Sequence, residues 1–168
     1  MYGLILKQAF GRGTICCAGD LTCQYLEGQK EINIYRTIGF FGYGFTSSPI
    51  MYKTFEYLNR MNGITNFGVL KTAVIYETLF WPSTMMPLLY ANLEIAKGKT
   101  INQAMEKMKE EGLVLAITSA SIWIPTTFIQ QKYIPMRNMI LFRSACCSLS
   151  AVAMSYYTNQ NAELKRQI

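Results

Sequence analysis

LVLAITSASIWIPTTFIQQ, Leu113 to Gln131, runs for nineteen residues without an Asp, Glu, Lys or Arg. A helix on the surface of a water-soluble domain carries a charged face about every two turns, and this stretch carries none over roughly five. It shows no strict alternation of apolar and polar residues, so it does not read as a half-buried strand. Three more stretches share its character: Thr37 to Tyr52 and Thr78 to Leu93, sixteen residues each, and Ser144 to Ala162, nineteen. Four such stretches in 168 residues argue for lipid or for burial inside a membrane assembly. The Ser, Thr, Gln, Tyr and Gly within them suit helices that pack against and bond to one another in a membrane. The expected fold is therefore all-α. It is an integral membrane helical bundle of four to five spans forming a single domain over 1–168.

Composition agrees. Only 15% of residues are charged, against roughly 25% in ordinary soluble chains, and 51% are apolar; the mean hydropathy of +0.13 is held down by the uncharged polar residues. The chain has no histidine, which excludes His-based catalytic triads and every His-ligated metal or haem site. Asp20 is its one aspartate, which leaves little for a carboxylate dyad or a hard-cation cage. The expectation is a non-enzyme with no cofactor and no metal, though a bound lipid such as cardiolipin would fit. Net charge is +6, but the basic residues are scattered, so nucleic acid is not an expected partner. The partners expected are the bilayer and other membrane subunits.

Five helical segments can be drawn: about Leu4 to Leu26, Arg36 to Leu58, Lys71 to Leu93, Leu113 to Gln131 with a break at Pro125, and Arg137 to Tyr157. Between the third and fourth, GKTINQAMEKMKEEG (98–112) has a capping-box pattern at Thr100 and Gln103 and places Ile101, Ala104, Met105 and Met108 on one face. It reads as a separate, short amphipathic connecting helix on the protein or membrane surface. The connections carry six basic residues on one side and eight on the other, with Arg143 counted beside Lys132 and Arg137, so orientation is not readable.

The polar residues inside the segments are the candidates for function. Asp20 shares a helix face with Cys16 and Gln24, and Gly19 beside it allows a close neighbour. A carboxylate within a span faces the bundle interior or water, and Arg36, Lys53 or Arg12 could partner it. It is either half of an ion pair that pins helices or part of the lining of a solute path. Glu77, six residues past Lys71, is expected to reach back to the interface and to matter less for stability than Asp20. Lys53 and Glu56 mark the water boundary of the second segment. Cys16, Cys17, Cys23, Cys146 and Cys147 match no zinc or redox spacing and read as small packing residues, although the two adjacent pairs could meet across helices. Cys147, Ala151 and Ser155 form a small-residue seam.

The order of these landmarks resembles the Mpv-seventeen and peroxisomal-membrane-protein-twenty-two family. Gly19, Asp20 and Gln24 stand in its G-D-x-x-x-Q pattern, and Arg36 stands where its second span begins. Pro49, Tyr52 and Leu58 follow its G-P, W-Y-x-x-L block without the tryptophan; the third-span D-Q pair is altered near Tyr76 and Glu77. Trp123, Pro125, Gln130 and Pro135 match its W-P and V-P block, and its final W-N is missing. The resemblance implies a four-span helical protein of the mitochondrial inner membrane, with the peroxisomal membrane as the alternative, in a family discussed as channels or solute-passage factors. The lost landmarks fit a scaffold. The expected function is a structural, supernumerary subunit of a larger inner-membrane complex such as a respiratory-chain assembly; the alternative is a small channel.

Overall fold

A computed structural model describes residues 2–29 and 31–166 of the chain. Lys30 lies outside the described residues, as do the side chains from Ala153 onward, which include Ser155 of the expected seam. The elements are α1 (Tyr2–Leu26), α2 (Ile34–Asn62), α3 (Asn66–Ile75), a π-helical stretch (Tyr76–Met85), α4 (Met86–Ala96), α5 (Ile101–Tyr133) and α6 (Met136–Arg166). No strand occurs among the described residues.

Local signals set the ends. Gly28, at φ +66°, takes the left-handed conformation that stops α1. Asn33 caps α2 by accepting from the Arg36 N–H at 3.1 Å, and Thr65 caps α3 by accepting from the Gly68 N–H at 3.1 Å. The capping box read in the sequence is present: Gln103 N–H donates to Thr100 Oγ1 at 3.4 Å, and Thr100 N–H to Gln103 Oε1 at 3.0 Å. That box opens a helix of 33 residues, so the segment at 98–112 is no separate connecting helix; it is the first third of α5. Its Ala104 is buried, and Met105 and Met108 pack with Met86 and Tyr90 of α4. Ile101, expected on the same face, is exposed. Pro125 does not break α5 either. It removes one ladder donor on an exposed face, too little to interrupt so long a helix. In the third segment Pro82 has the larger effect. The chain widens to π geometry around it, and Met86 N–H reaches back five residues to the Trp81 carbonyl.

α1 packs against α2 and α6, α2 also against α4, and α5 closes on α3, the π stretch and α4. Two crossings depend on glycine. A Cβ on Gly44 of α2 would sit 2.8 Å from Gly13 Cα of α1, and one on Gly19 would sit 2.6 Å from Ser148 Oγ of α6. At one end Met51, Phe55, Leu58, Tyr76, Met85, Met139 and Ile140 form an apolar core, with the Phe55 and Tyr76 rings stacked at 4.2 Å.

The interior is unusually polar. Among the described residues the buried set holds fifteen apolar and fifteen polar or charged side chains, while Leu6, Phe10, Ile38, Ile117, Ile122, Ile129 and Leu149 face outward. No helix among the described residues is long and apolar enough to cross a membrane by hydropathy. Length is present in α1, α2, α5 and α6, at 25, 29, 33 and 31 residues; polar side chains on both the inner and the outer faces lower the apolar average.

Candidate functional site: a cavity lined by charge

A cavity of about 520 Å³ lies within the bundle. Arg12, Asp20, Glu27, Arg36 and Arg143 are its charged lining, and Phe40, Tyr43, Trp81 and Trp123 its aromatic walls.

One end is built where α1 finishes and α2 starts. Asp20 is 5% exposed. Its Oδ1 accepts from Arg36 Nε at 2.6 Å, and its Oδ2 accepts from Thr37 Oγ1 at 2.7 Å and Gln24 Nε2 at 2.6 Å. Gln24 Oε1 in turn accepts from the Asn33 N–H at 2.6 Å, so the carboxylate's neighbour is locked to the helix cap. Arg36 also donates both Nη atoms to Glu27, at 2.8 and 3.1 Å. One guanidinium therefore holds two carboxylates. The sequence singles out Gly19, Asp20, Gln24 and Arg36, and the structure brings all four to this end of the cavity. Glu27, Asn33 and Thr37 escaped that reading; the Asn33 cap four residues before Thr37 was the available signal.

The second network corrects two expectations. Glu77 does not reach the interface. It is 1% exposed, and its Oε1 accepts from Arg143 Nη2 at 2.7 Å and Thr127 Oγ1 at 2.5 Å. Arg143 is no water-side residue of a connection. It is 3% exposed, donates through Nη1 to Thr127 at 2.6 Å, and stacks on Trp123 (4.8 Å to the ring centre) and Tyr76 (5.2 Å). The reason is the start of α6. Met136 opens the helix, so Arg143 lies two turns inside it, about 10 Å along the axis. Thr127 and Arg143 link α5 and α6 to the π stretch, whose second residue is Glu77. Gln130, buried nearby, donates to the Met139 carbonyl at 3.1 Å.

Arg12 is, with Arg143, one of two buried arginines among the described residues. It is 3% exposed, lies over the Tyr43 ring at 5.5 Å and points Nη1 at Met51 Sδ, 2.7 Å away. Its Nε has no hydrogen-bond partner. It does not pair with Asp20.

Of the remaining candidates, Trp123 lines the cavity, Tyr52 packs against the apolar core, Pro49 sits half-buried within α2, and Pro125 and Pro135 lie on the surface. Lys53 pairs with Glu56 at 2.9 Å at an exposed site. None of the five cysteines is in a disulfide. A separate charged cluster joins α4 to α5: Glu94 meets Lys97 at 2.8 Å, Lys99 at 2.7 Å and Lys107 at 3.5 Å. The hydrogen bonds from Lys97 and Lys99 hold its carboxyl well below the usual range, at about 2.

Three comparisons bear on this arrangement. The Mpv17 / PMP22 family profile matches residues 94–155. The Caenorhabditis elegans mitochondrial inner membrane protein Mpv17 is 24% identical over 153 residues, which cover 88% of this chain and 82% of that protein. Its Caenorhabditis briggsae namesake is 22% identical over 139 residues, 82% of this chain and 76% of its own. No solved structure matches. The match to α5 and α6, the two relatives aligned along most of the chain and the Asp20–Gln24–Arg36 constellation together support a divergent member of the Mpv17 / PMP22 family.

Proposed function

We propose that this chain is an integral protein of the mitochondrial inner membrane whose helices surround a charged cavity and admit a small polar solute to it. The names of both relatives supply the location. The observation that carries the functional reading is the cavity itself, about 520 Å³ with five charged side chains in its wall, inside a bundle that turns many large apolar side chains outward. The cavity is open to the outside, and its aromatic walls with a few convergent charged groups are the make-up of a site in which a small solute lodges. The intramembrane charges are expensive and mark solute paths or fixed ion pairs. Here they do both, because Asp20 and Arg143 are paired and also face the void. The reading is one of binding and passage, without catalysis.

The scaffold reading, a structural subunit of a larger assembly such as one of the respiratory chain, draws on the same outward residues. Tyr25, Ile38, Tyr57 and Phe67 would be covered as well by other helices as by lipid. The test separates the two. The chain is purified, placed alone in liposomes loaded with solutes graded in size and charge, and sized by native gel from mildly solubilised membranes. Release of small polar solutes by the isolated chain, with a native particle no larger than a small homo-oligomer, supports passage. Tight liposomes and co-migration with a large complex support the scaffold.

A further inference from the structure

The three arginines of the cavity are not equally compensated. Arg36 faces two carboxylates, Asp20 and Glu27. Arg143 faces one, Glu77. Arg12 faces none among the described residues: its contacts are a thioether and an aromatic ring, and its Nε is unbonded. A guanidinium stays charged at any accessible pH, and a buried charge without a counter-charge is among the costliest arrangements a protein can hold. Arg12 and Asp20 lie eight residues apart on α1, about 12 Å. The cavity therefore has an excess of positive charge at the Arg12 end and an excess of negative charge at the Arg36 end. Between them the wall is Phe40, Tyr43, Trp81, Leu89 and Trp123.

We propose that the cavity binds a monoanion with an apolar body, its carboxylate or phosphodiester on Arg12 and its body against the aromatic wall. The proposal rests on the solute-binding reading above and names the class of solute. Arg12 supplies the fork-shaped donor set that carboxylates and phosphodiesters share, and it has no carboxylate partner among the described residues. The aromatic wall supplies apolar contact for a short chain. Asp20 and Glu27 at the far end disfavour a second negative charge, so a dianion of the same length is rejected. A free organic acid and the head of a single-chain anionic lipid present the same chemistry.

The two tryptophans of the chain, Trp81 and Trp123, both line the cavity, so intrinsic fluorescence reports occupancy directly. Delipidated full-length protein in neutral detergent is titrated with hexanoate, with its neutral counterpart hexanol, with the dianion adipate and with a short-chain lysophosphatidylglycerol, whose phosphodiester carries a single charge. Hexanoate is expected to give a saturable change, with hexanol and adipate at least about tenfold weaker. The lysophospholipid distinguishes the sources. Tighter binding than hexanoate, competed by hexanoate, assigns the site to a lipid headgroup; weaker binding assigns it to a soluble acid. Arg12→Met is the decisive variant. It removes an uncompensated charge, so without ligand its thermal midpoint is expected to be no lower than wild type, and its affinity for hexanoate at least about tenfold weaker. Equal binding of hexanoate and hexanol, or hexanoate binding unaffected in a folded Arg12→Met protein, overturns the proposal. So does a large loss of stability in Arg12→Met without ligand, because Arg12 would then have an internal partner. The titration needs no flux, so a failure here is separable from a failure of solute passage.

Discussion

Glu77→Gln is the substitution to which the fold should be most sensitive. The side chain keeps its size, and its carbonyl oxygen can still accept from Thr127, but the counter-charge of Arg143 is gone. Glu77 and Arg143 have side chains 0% and 4% exposed, so water does not replace the lost partner. Removing one member of such a buried pair costs about 3–5 kcal/mol, and the acceptor that Gln retains puts the expectation near ~3. Asp20→Asn should cost less, about 1–2 kcal/mol, because Arg36 is 25% exposed and keeps Glu27. Sequence reasoning ranks these two acids the other way, and burial of the partner arginine is what reverses the order. The assay is unfolding of the purified protein from neutral detergent by titrated denaturing detergent, followed by helicity. A double variant, Glu77→Leu with Arg143→Met, replaces the pair with apolar groups and should recover to within about 1 kcal/mol of wild type. If Glu77→Gln costs less than Asp20→Asn, or less than about 1 kcal/mol, the reasoning from burial is refuted.

Three more outcomes follow from the geometry. Gly44→Leu should separate α1 from α2 and cost about 3 kcal/mol or prevent folding, since its first carbon already meets Gly13 at 2.8 Å; the same unfolding titration checks it. Thr127→Val should cost about 1–2 kcal/mol, because it deletes a hydroxyl that both donates to Glu77 and accepts from Arg143. Glu94 should make stability depend on acid. Its carboxyl sits at about 2 in the fold against 4.5 ordinarily, so the unfolded chain binds more protons between those values. The Glu94 contribution is full above pH 4.5 and is lost as pH falls toward 2, so thermal midpoints of wild type and Glu94→Gln should differ at neutral pH and converge near pH 2.

The helices were legible because the absence of charge over sixteen to nineteen residues is a strong signal. The capping box at Thr100 likewise placed the start of α5 correctly. What failed was the treatment of 98–112 as its own helix. The amphipathic face is real at Ala104, Met105 and Met108, but nothing between Gly112 and Leu113 breaks the helix, so the change of composition there is not a boundary. Asp20 and Arg36 could be matched because they lie near the two ends of one short turn. Glu77 and Arg143 lie 66 positions apart, one at the start of the π stretch and the other two turns inside α6. Neither the widened backbone nor that depth is written in local periodicity. Arg12 illustrates the same limit: its sequence context gives a lone basic residue, and only the packing of Tyr43 and Met51 shows it buried without a carboxylate.

The central claim is that the charged cavity admits a solute, and single-protein conductance in planar bilayers tests it most directly. The purified chain should give reproducible openings, Asp20→Asn and Arg12→Met should each alter conductance or ion preference, and Lys53→Gln, at an exposed site away from the charged cavity, should leave both unchanged. Bilayers that stay silent with folded protein, or openings indifferent to Asp20 and Arg12, would contradict it.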